Sequence, residues 1–138
     1  MKRYLLDTAL LAGYLHKRAK AIALLTPLLK NREVATTMIV YGEVIEYLKG
    51  LPDFPDHYKK FHHVLEEIPP YPLTFPVLER YADLRRQMRQ PYGTGLIGDI
   101  DTLIAATAIE NHLTLLTTDR DFERVPHLLL QLVNLKAA

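Results

Sequence analysis

Gly98-Asp99-Ile100-Asp101-Thr102-Leu103-Ile104-Ala105-Ala106-Thr107-Ala108 joins an acidic pair to an apolar, small-residue run. The pattern predicts a helix over Asp99–Asn111, closed by Asn111 or His112 in a left-handed conformation. Packing alone cannot explain two carboxylates two positions apart. Asp99 is placed to serve as the N-cap, and Asp101 falls in the first turn, where the helix dipole favours a negative charge. The other reading of either residue is chemistry.

On the C-terminal side, Leu113-Thr114-Leu115-Leu116-Thr117 is β-branched and leucine-rich and predicts a strand. It runs into Thr118-Asp119-Arg120-Asp121-Phe122, where a short helical turn is expected and Asp121 reads as a turn or cap residue. Leu129–Leu135 alternates weakly and predicts a last strand. On the N-terminal side, Pro91–Gly98 is a glycine-rich loop. A long helix over Pro76–Arg89 precedes it, with Arg80, Arg85, Arg86 and Arg89 on its outer face. Pro69–Thr74 is extended because residues before proline avoid the helical region. Its three prolines restrict it to a sheet edge.

Further upstream a helix is expected over His57–Glu67, after a loop at Leu51–Pro55. The stripe Tyr41, Val44, Ile45 and Leu48 marks a helix over Thr37–Lys49, with Glu43 and Glu46 off the stripe. Glu33–Thr36 reads as a strand. Ala19–Lys30 reads as a helix that Pro27 bends or breaks. Ala9–Lys17 is a helix capped by Asp7-Thr8, and Tyr4-Leu5-Leu6 is a short buried strand. Short strands separated by helical stretches imply right-handed crossovers. The expected fold is one α/β domain over residues 1–138, a three-layer α/β/α sandwich with a central, mostly parallel sheet of about five short strands. Such sheets bind ligands beyond the carboxyl ends of their strands. Asp7 and Asp119 both follow strands.

Composition narrows the partners. A net charge of +1 leaves any polyanion contact to a local patch. Without cysteine there is no thiolate metal site, and the chain suits a reducing, cytoplasmic setting. No apolar run approaches the roughly 18 residues of a membrane span, and an acid at position 7 comes too early for a signal peptide.

Four acids compete for one site: Asp7, Glu43, Asp101 and Asp119, with Asp99 beside them. Taken singly, Asp7 and Asp119 read equally well as N-caps and Glu43 as a solvated helix residue. Gathered together they would repel by about 4 kcal/mol per pair at 4 Å and an effective dielectric near 20. They must then protonate, separate or bind a cation. Oxygen-only donors select a hard ion such as Mg²⁺ or Mn²⁺, which polarises a phosphoryl oxygen and acidifies a bound water.

These pieces resemble a PIN-domain ribonuclease, specifically the VapC-type toxin of a type II toxin–antitoxin pair. The matching segments are Leu5-Leu6-Asp7-Thr8, Gly42-Glu43-Val44, Asp101-Thr102-Leu103-Ile104-Ala105-Ala106-Thr107-Ala108 and Leu115-Leu116-Thr117-Thr118-Asp119-Arg120-Asp121-Phe122, in the family's order. The resemblance implies that Asp7, Glu43 and Asp101 are the principal metal-binding acids. Asp119 matches a more variable fourth acid, Asp99 an additional one, and Thr8 and Thr117 hydroxyl positions near the site. It further implies Mg²⁺- or Mn²⁺-dependent endonucleolytic cleavage of RNA leaving a 5′-phosphate and a 3′-hydroxyl, a homodimer, and inhibition by a small antitoxin. Contact with DNA would come only through that antitoxin. His112 stands where the family often has glycine, which concerns the turn and not catalysis.

Other signals carry less. Gly93-Thr94-Gly95-Leu96-Ile97-Gly98 matches a dinucleotide-binding pattern, but a polar helix precedes it where that motif needs a strand. It reads instead as a loop beside the site. The six histidines show no ligand spacing. The arginine face is either solvated or a phosphate-tracking surface, with Arg85 and Arg89 the candidates for substrate contact. Tyr41, Tyr47, Phe54, Tyr58 and Phe61 read as core, and the family resemblance implies that part of this region forms a groove for a dimer partner or the antitoxin. The alternative function is a PIN-like module that binds RNA or protein without catalysis.

Overall fold

The computed structural model describes residues 1–136. Five parallel strands form the centre: β1 (Tyr4–Leu6), β2 (Val34–Thr37), β3 (Pro70–Tyr71), β4 (Thr114–Thr117) and β5 (Leu130–Leu132). Their order is β3-β2-β1-β4-β5. Six α-helices connect them: α1 (Thr8–Leu15), α2 (Ala19–Lys30), α3 (Met38–Lys49), α4 (Phe54–Val64), α5 (Phe75–Met88) and α6 (Asp99–Glu110). A short 3-10 turn spans Arg120–Arg124.

β1 lies in the middle of the sheet, pairing Leu5 with both Ala35 and Leu115 and Leu6 with Leu116. All these residues are fully or almost fully buried, as expected of a parallel strand covered on both faces. Pro70 and Tyr71 pair with Thr36 and Thr37 at the edge, where the missing proline N–H breaks no ladder bond. The chain runs from β1 outward through β2 to β3, then crosses back to lay β4 on the other side of β1. Right-handed crossovers therefore place α1–α4 on one face and α5–α6 on the other. Strand order reverses between β1 and β4, and the crevice above that reversal is where such sheets take ligands.

α6 is the central packed helix. Thr102, Ile104, Ala105, Ala106, Thr107 and Ala108 are all fully buried. The alanines let the helix axis approach the sheet closely. Fully burying Ile104 alone contributes about 2 kcal/mol. The two buried hydroxyls are satisfied within the helix, Thr102 Oγ1 donating to the Gly98 carbonyl and Thr107 Oγ1 to that of Leu103, both at 2.8 Å.

Several expected boundaries shift for identifiable reasons. α2 runs unbroken through exposed Pro27, losing one backbone bond but not its continuity. α1 ends at Leu15, because Lys17 turns left-handed with φ of 58°. α4 starts at Phe54 and not His57, since Pro55 fits the first turn, where its missing N–H costs nothing. It stops at Val64, and β5 covers only Leu130–Leu132. At the end of α6, His112 takes the left-handed position with φ of 57°. The 93–98 loop folds back on α5: a Cβ on Gly93 would lie 2.4 Å from the Gln87 carbonyl oxygen, and Gly95 has φ of 125°. These two glycines thus serve a close backbone approach and a left-handed turn. The element before them is a helix, not the strand a dinucleotide motif requires.

Candidate active site

Asp7 leaves the end of β1 directly into the crevice between β1 and β4. Its backbone N–H bonds the Leu116 carbonyl at 3.0 Å, which carries the sheet one residue further. As N-cap of α1 it accepts the Thr8 N–H on Oδ1 at 2.7 Å, and Thr117 Oγ1 donates to Oδ2 at 2.6 Å. Charge-assisted bonds of this kind contribute about 1.5–3 kcal/mol each to the ionised form. Burial outweighs them. Asp7 is only 8% exposed, and its pKa is raised, first by desolvation and then by the fields of Glu43 and Asp119.

Glu43 reaches the same place from α3. Thr8 Oγ1 donates to its Oε1 at 2.6 Å, so the one residue Thr8 holds two of the acids, Asp7 through its N–H and Glu43 through its hydroxyl. Asp101 stands in the first turn of α6. Its carboxyl is pushed up to about 6, chiefly by burial and then by Asp7, Asp119, Glu43 and Asp121 in that order. Asp119 follows β4 and caps the 3-10 turn, accepting the Asp121 N–H at 2.9 Å while its own N–H bonds Thr117 Oγ1 at 3.1 Å. Thr117 thereby ties β4's end to both Asp7 and Asp119. The fold brings Asp7, Glu43, Asp101 and Asp119 to one edge. Asp121, read from the sequence as a turn residue, adds to their field.

Among the described residues, none of the four pairs with a lysine or arginine. Nor are any three acidic or histidine side chains drawn together closely enough to hold an ion as they stand. Drawn to 4 Å, a pair of such carboxylates would cost about 4 kcal/mol unless a cation entered. The donors themselves suit a hard divalent cation, being carboxylate oxygens held from several elements with no soft ligand among them.

Asp99 differs. Gly98 is the N-cap of α6, not Asp99. The Gly98 carbonyl accepts both the N–H and the hydroxyl of Thr102, so the cap falls one residue earlier than expected while the helix itself starts at Asp99. The exposed Asp99 carboxylate turns to α5, where Arg85 Nη1 lies at 2.9 Å and the Tyr81 hydroxyl donates at 2.9 Å. Arg85 is thus already engaged. Arg80 pairs with Glu110 at 2.8 Å, while Arg89 and Arg86 are exposed. Tyr81 stands on α5 one turn before Arg85. Nothing local in the sequence marks it as a partner of Asp99, 18 positions away.

The histidines find other partners, His62 bonding the Tyr41 hydroxyl at 2.9 Å and His63 lying 3.5 Å from Glu66. Phe61 is fully buried and stacked by Tyr41, whereas Tyr47 and Tyr58 stay exposed. A groove of about 660 Å³ opens beside Glu43 and Thr8, walled by Met38, Ile39, Tyr47 and Ile100.

A parallel α/β domain with carboxylates gathered at its topological switch point defines a class of acid-centred α/β proteins. The PIN domain family's sequence profile matches residues 4–128, and the chain belongs to that family. Its fold is similar to a chain of the VapBC2 structure from Rickettsia felis bound to a promoter DNA fragment. The TM-score is 0.82 and the identity 25%, over 95% of this chain and 98% of that one. DNA-bound VapBC from Salmonella typhimurium gives a TM-score of 0.83 at 15% identity, with the same coverage. FitAcB from Neisseria gonorrhoeae gives 0.68 at 25% identity, over 84% of this chain and 87% of that one. Among curated protein sequences none matches this chain.

Proposed function

We propose that this chain is a Mg²⁺- or Mn²⁺-dependent endoribonuclease acting as the toxin of a toxin–antitoxin pair. The observation that carries the reading is the set of uncompensated carboxylates, Asp7, Glu43, Asp101 and Asp119, at the switch point of a PIN-family fold. Asp7, Glu43, Asp101 and Asp119 would hold the cation, with Asp99 beside them turned toward Arg85. When bound, the cation supplies Lewis acidity toward a phosphodiester and a water of lowered pKa. Thr117 and Thr8 fix the rotamers of Asp7 and Glu43, so that ligands arrive preoriented. Without positive charge the same acids repel a phosphate, which makes substrate approach conditional on the ion.

The chain's similarity to VapBC structures supports a small antitoxin as partner, and a homodimer is the working form proposed with it. The apolar groove beside Glu43 is a suitable seat for an antitoxin segment that covers the acids. Among the described residues no helix is long and apolar enough to cross a membrane. The proposed setting is the cytoplasm.

The test is cleavage of labelled structured RNAs with Mn²⁺. Asp7→Asn and Asp101→Asn are expected to fold and to lose cleavage. Undiminished activity of either variant in a nuclease-free preparation overturns the assignment. The separated carboxylates favour one competing reading, a PIN module that binds RNA or protein without catalysis. That reading requires RNA or partner binding with no cleavage at any divalent metal concentration.

A further inference from the structure

A second hollow, of about 710 Å³, opens on the same edge of the sheet. Its walls include Arg18, Arg120 and Lys136, together with Thr118 and Asn134, and among the described residues no aspartate or glutamate lines it. Three cations around one concavity repel each other unless an anion enters. Arg120 Nε has a partial partner in Glu123 at 3.1 Å, on an exposed stretch. Arg18 is held by a hydrogen bond from Nη2 to the Leu135 carbonyl at 2.9 Å. That bond reduces the ordering cost of presenting its other N–H donors to a ligand. Asn134 Oδ1 accepts the Lys136 N–H at 2.9 Å, which leaves the amide NH₂ as a donor. With the Thr118 hydroxyl, the wall can present donors to every oxygen of a phosphate group.

The position of this hollow gives it meaning. Ala9, which also lines it, lies two residues beyond Asp7, while Thr118 and Arg120 flank Asp119. The acid edge and the basic hollow therefore share the β1–α1 and β4 termini. We propose that the hollow formed by Arg18, Arg120, Lys136, Thr118 and Asn134 binds a backbone phosphate of the RNA strand next to the one cleaved. This rests on the ribonuclease reading above. The acids repel phosphate without a cation, and the hollow supplies a metal-independent anchor on the same strand. Its contacts go to phosphate, so it contributes affinity and register and not sequence preference.

The experiment uses the full chain carrying Asp101→Asn, so that RNA stays intact, and a fluorescent single-stranded RNA read by anisotropy from 50 to 300 mM salt. Adding Arg120→Ala with Lys136→Ala is expected to weaken binding roughly tenfold at low salt. The slope of log affinity against log salt should become shallower by about 1, as for the loss of a phosphate contact. Both side chains are exposed, and an unchanged melting temperature verifies the fold. Lys136→Gln alone should shift both quantities in the same direction by less. Unchanged affinity and slope overturn the hollow's role while leaving the ribonuclease reading intact. Weaker binding with an unchanged slope also overturns it, because the loss would not be electrostatic. If the parent itself binds no RNA at low salt, this proposal and the ribonuclease reading fall together.

Discussion

Asp99 and Asp101 sit two residues apart on α6 and belong to opposite kinds of site. At the α5–α6 seam, Asp99 meets Arg85 and Tyr81, and Glu110 meets Arg80. Each negative charge there has its complement within the chain. At the β1–β4 crevice, Asp7, Glu43, Asp101 and Asp119 have hydroxyls and N–H groups for partners but no cation among the described residues. The seam is electrostatically complete and holds two helices together. The crevice is left incomplete, at a cost in stability visible in the raised Asp7 and Asp101 carboxyls. An acid thus declares its role by what the fold places opposite it, more than by its position on the helix.

The contrast yields a ranked set of expected effects. The largest is on cleavage: replacing Asp101 or Asp7 by asparagine should lower the rate by at least about 100-fold, beyond the 10–100-fold typical of residues that orient metal ligands. Thr117→Val should fall within that 10–100-fold range. It removes the hydroxyl that bonds Asp7 Oδ2 and the Asp119 N–H while keeping the buried shape. Circular dichroism should show the fold retained, with a stability loss of about 1–3 kcal/mol for the unsatisfied partners.

Next comes pH. Asp101 titrates near 6 in the folded protein against an ordinary value of 3.8, so between these the native state holds more protons than the unfolded chain. Stability of the metal-free protein should therefore fall as pH rises from about 4 through 6, and stay low above that. Allowing for solvent screening of a partly exposed group, the Asp101 contribution is about 1 kcal/mol. Denaturant melts at pH 5 and 7.5 in chelator measure it, and Asp101→Asn should flatten the difference. The smallest effect belongs to the seam. Asp99→Ala removes an exposed pair and should cost less than about 1 kcal/mol, with cleavage little changed.

Much of this arrangement was legible in the sequence. The strand-ending acids Asp7 and Asp119, the small-residue face of α6 and the proline-limited edge strand all follow from local chemistry. The alternation of short strands with helical stretches led to the parallel sheet, and the strand-ending acids pointed to its carboxyl edge; the strand order that makes this edge a switch point came from the structure. What escaped depends on distant partners. Whether Asp99 caps α6 was decided by Thr102 bonding back to Gly98 and by Arg85 and Tyr81 across the seam. Thr8 and Thr117 were recognisable as hydroxyls near the acids, but their bonds to Glu43 and Asp7 span 35 and 110 positions. Arg18 and Lys136 lie at opposite ends of the chain, so no pattern in the sequence joins them into one hollow.

Mn²⁺-dependent melting tests the central claim most directly. At pH 7.5, saturating Mn²⁺ should raise the melting temperature of the unaltered chain by several degrees, since an ion at 100 times its Kd adds about 2.7 kcal/mol. Asp99→Asn should keep that shift, and Asp101→Asn should lose most of it. An equal shift in both variants, or none in the unaltered chain, would contradict the assignment of the β1–β4 crevice as a cation site.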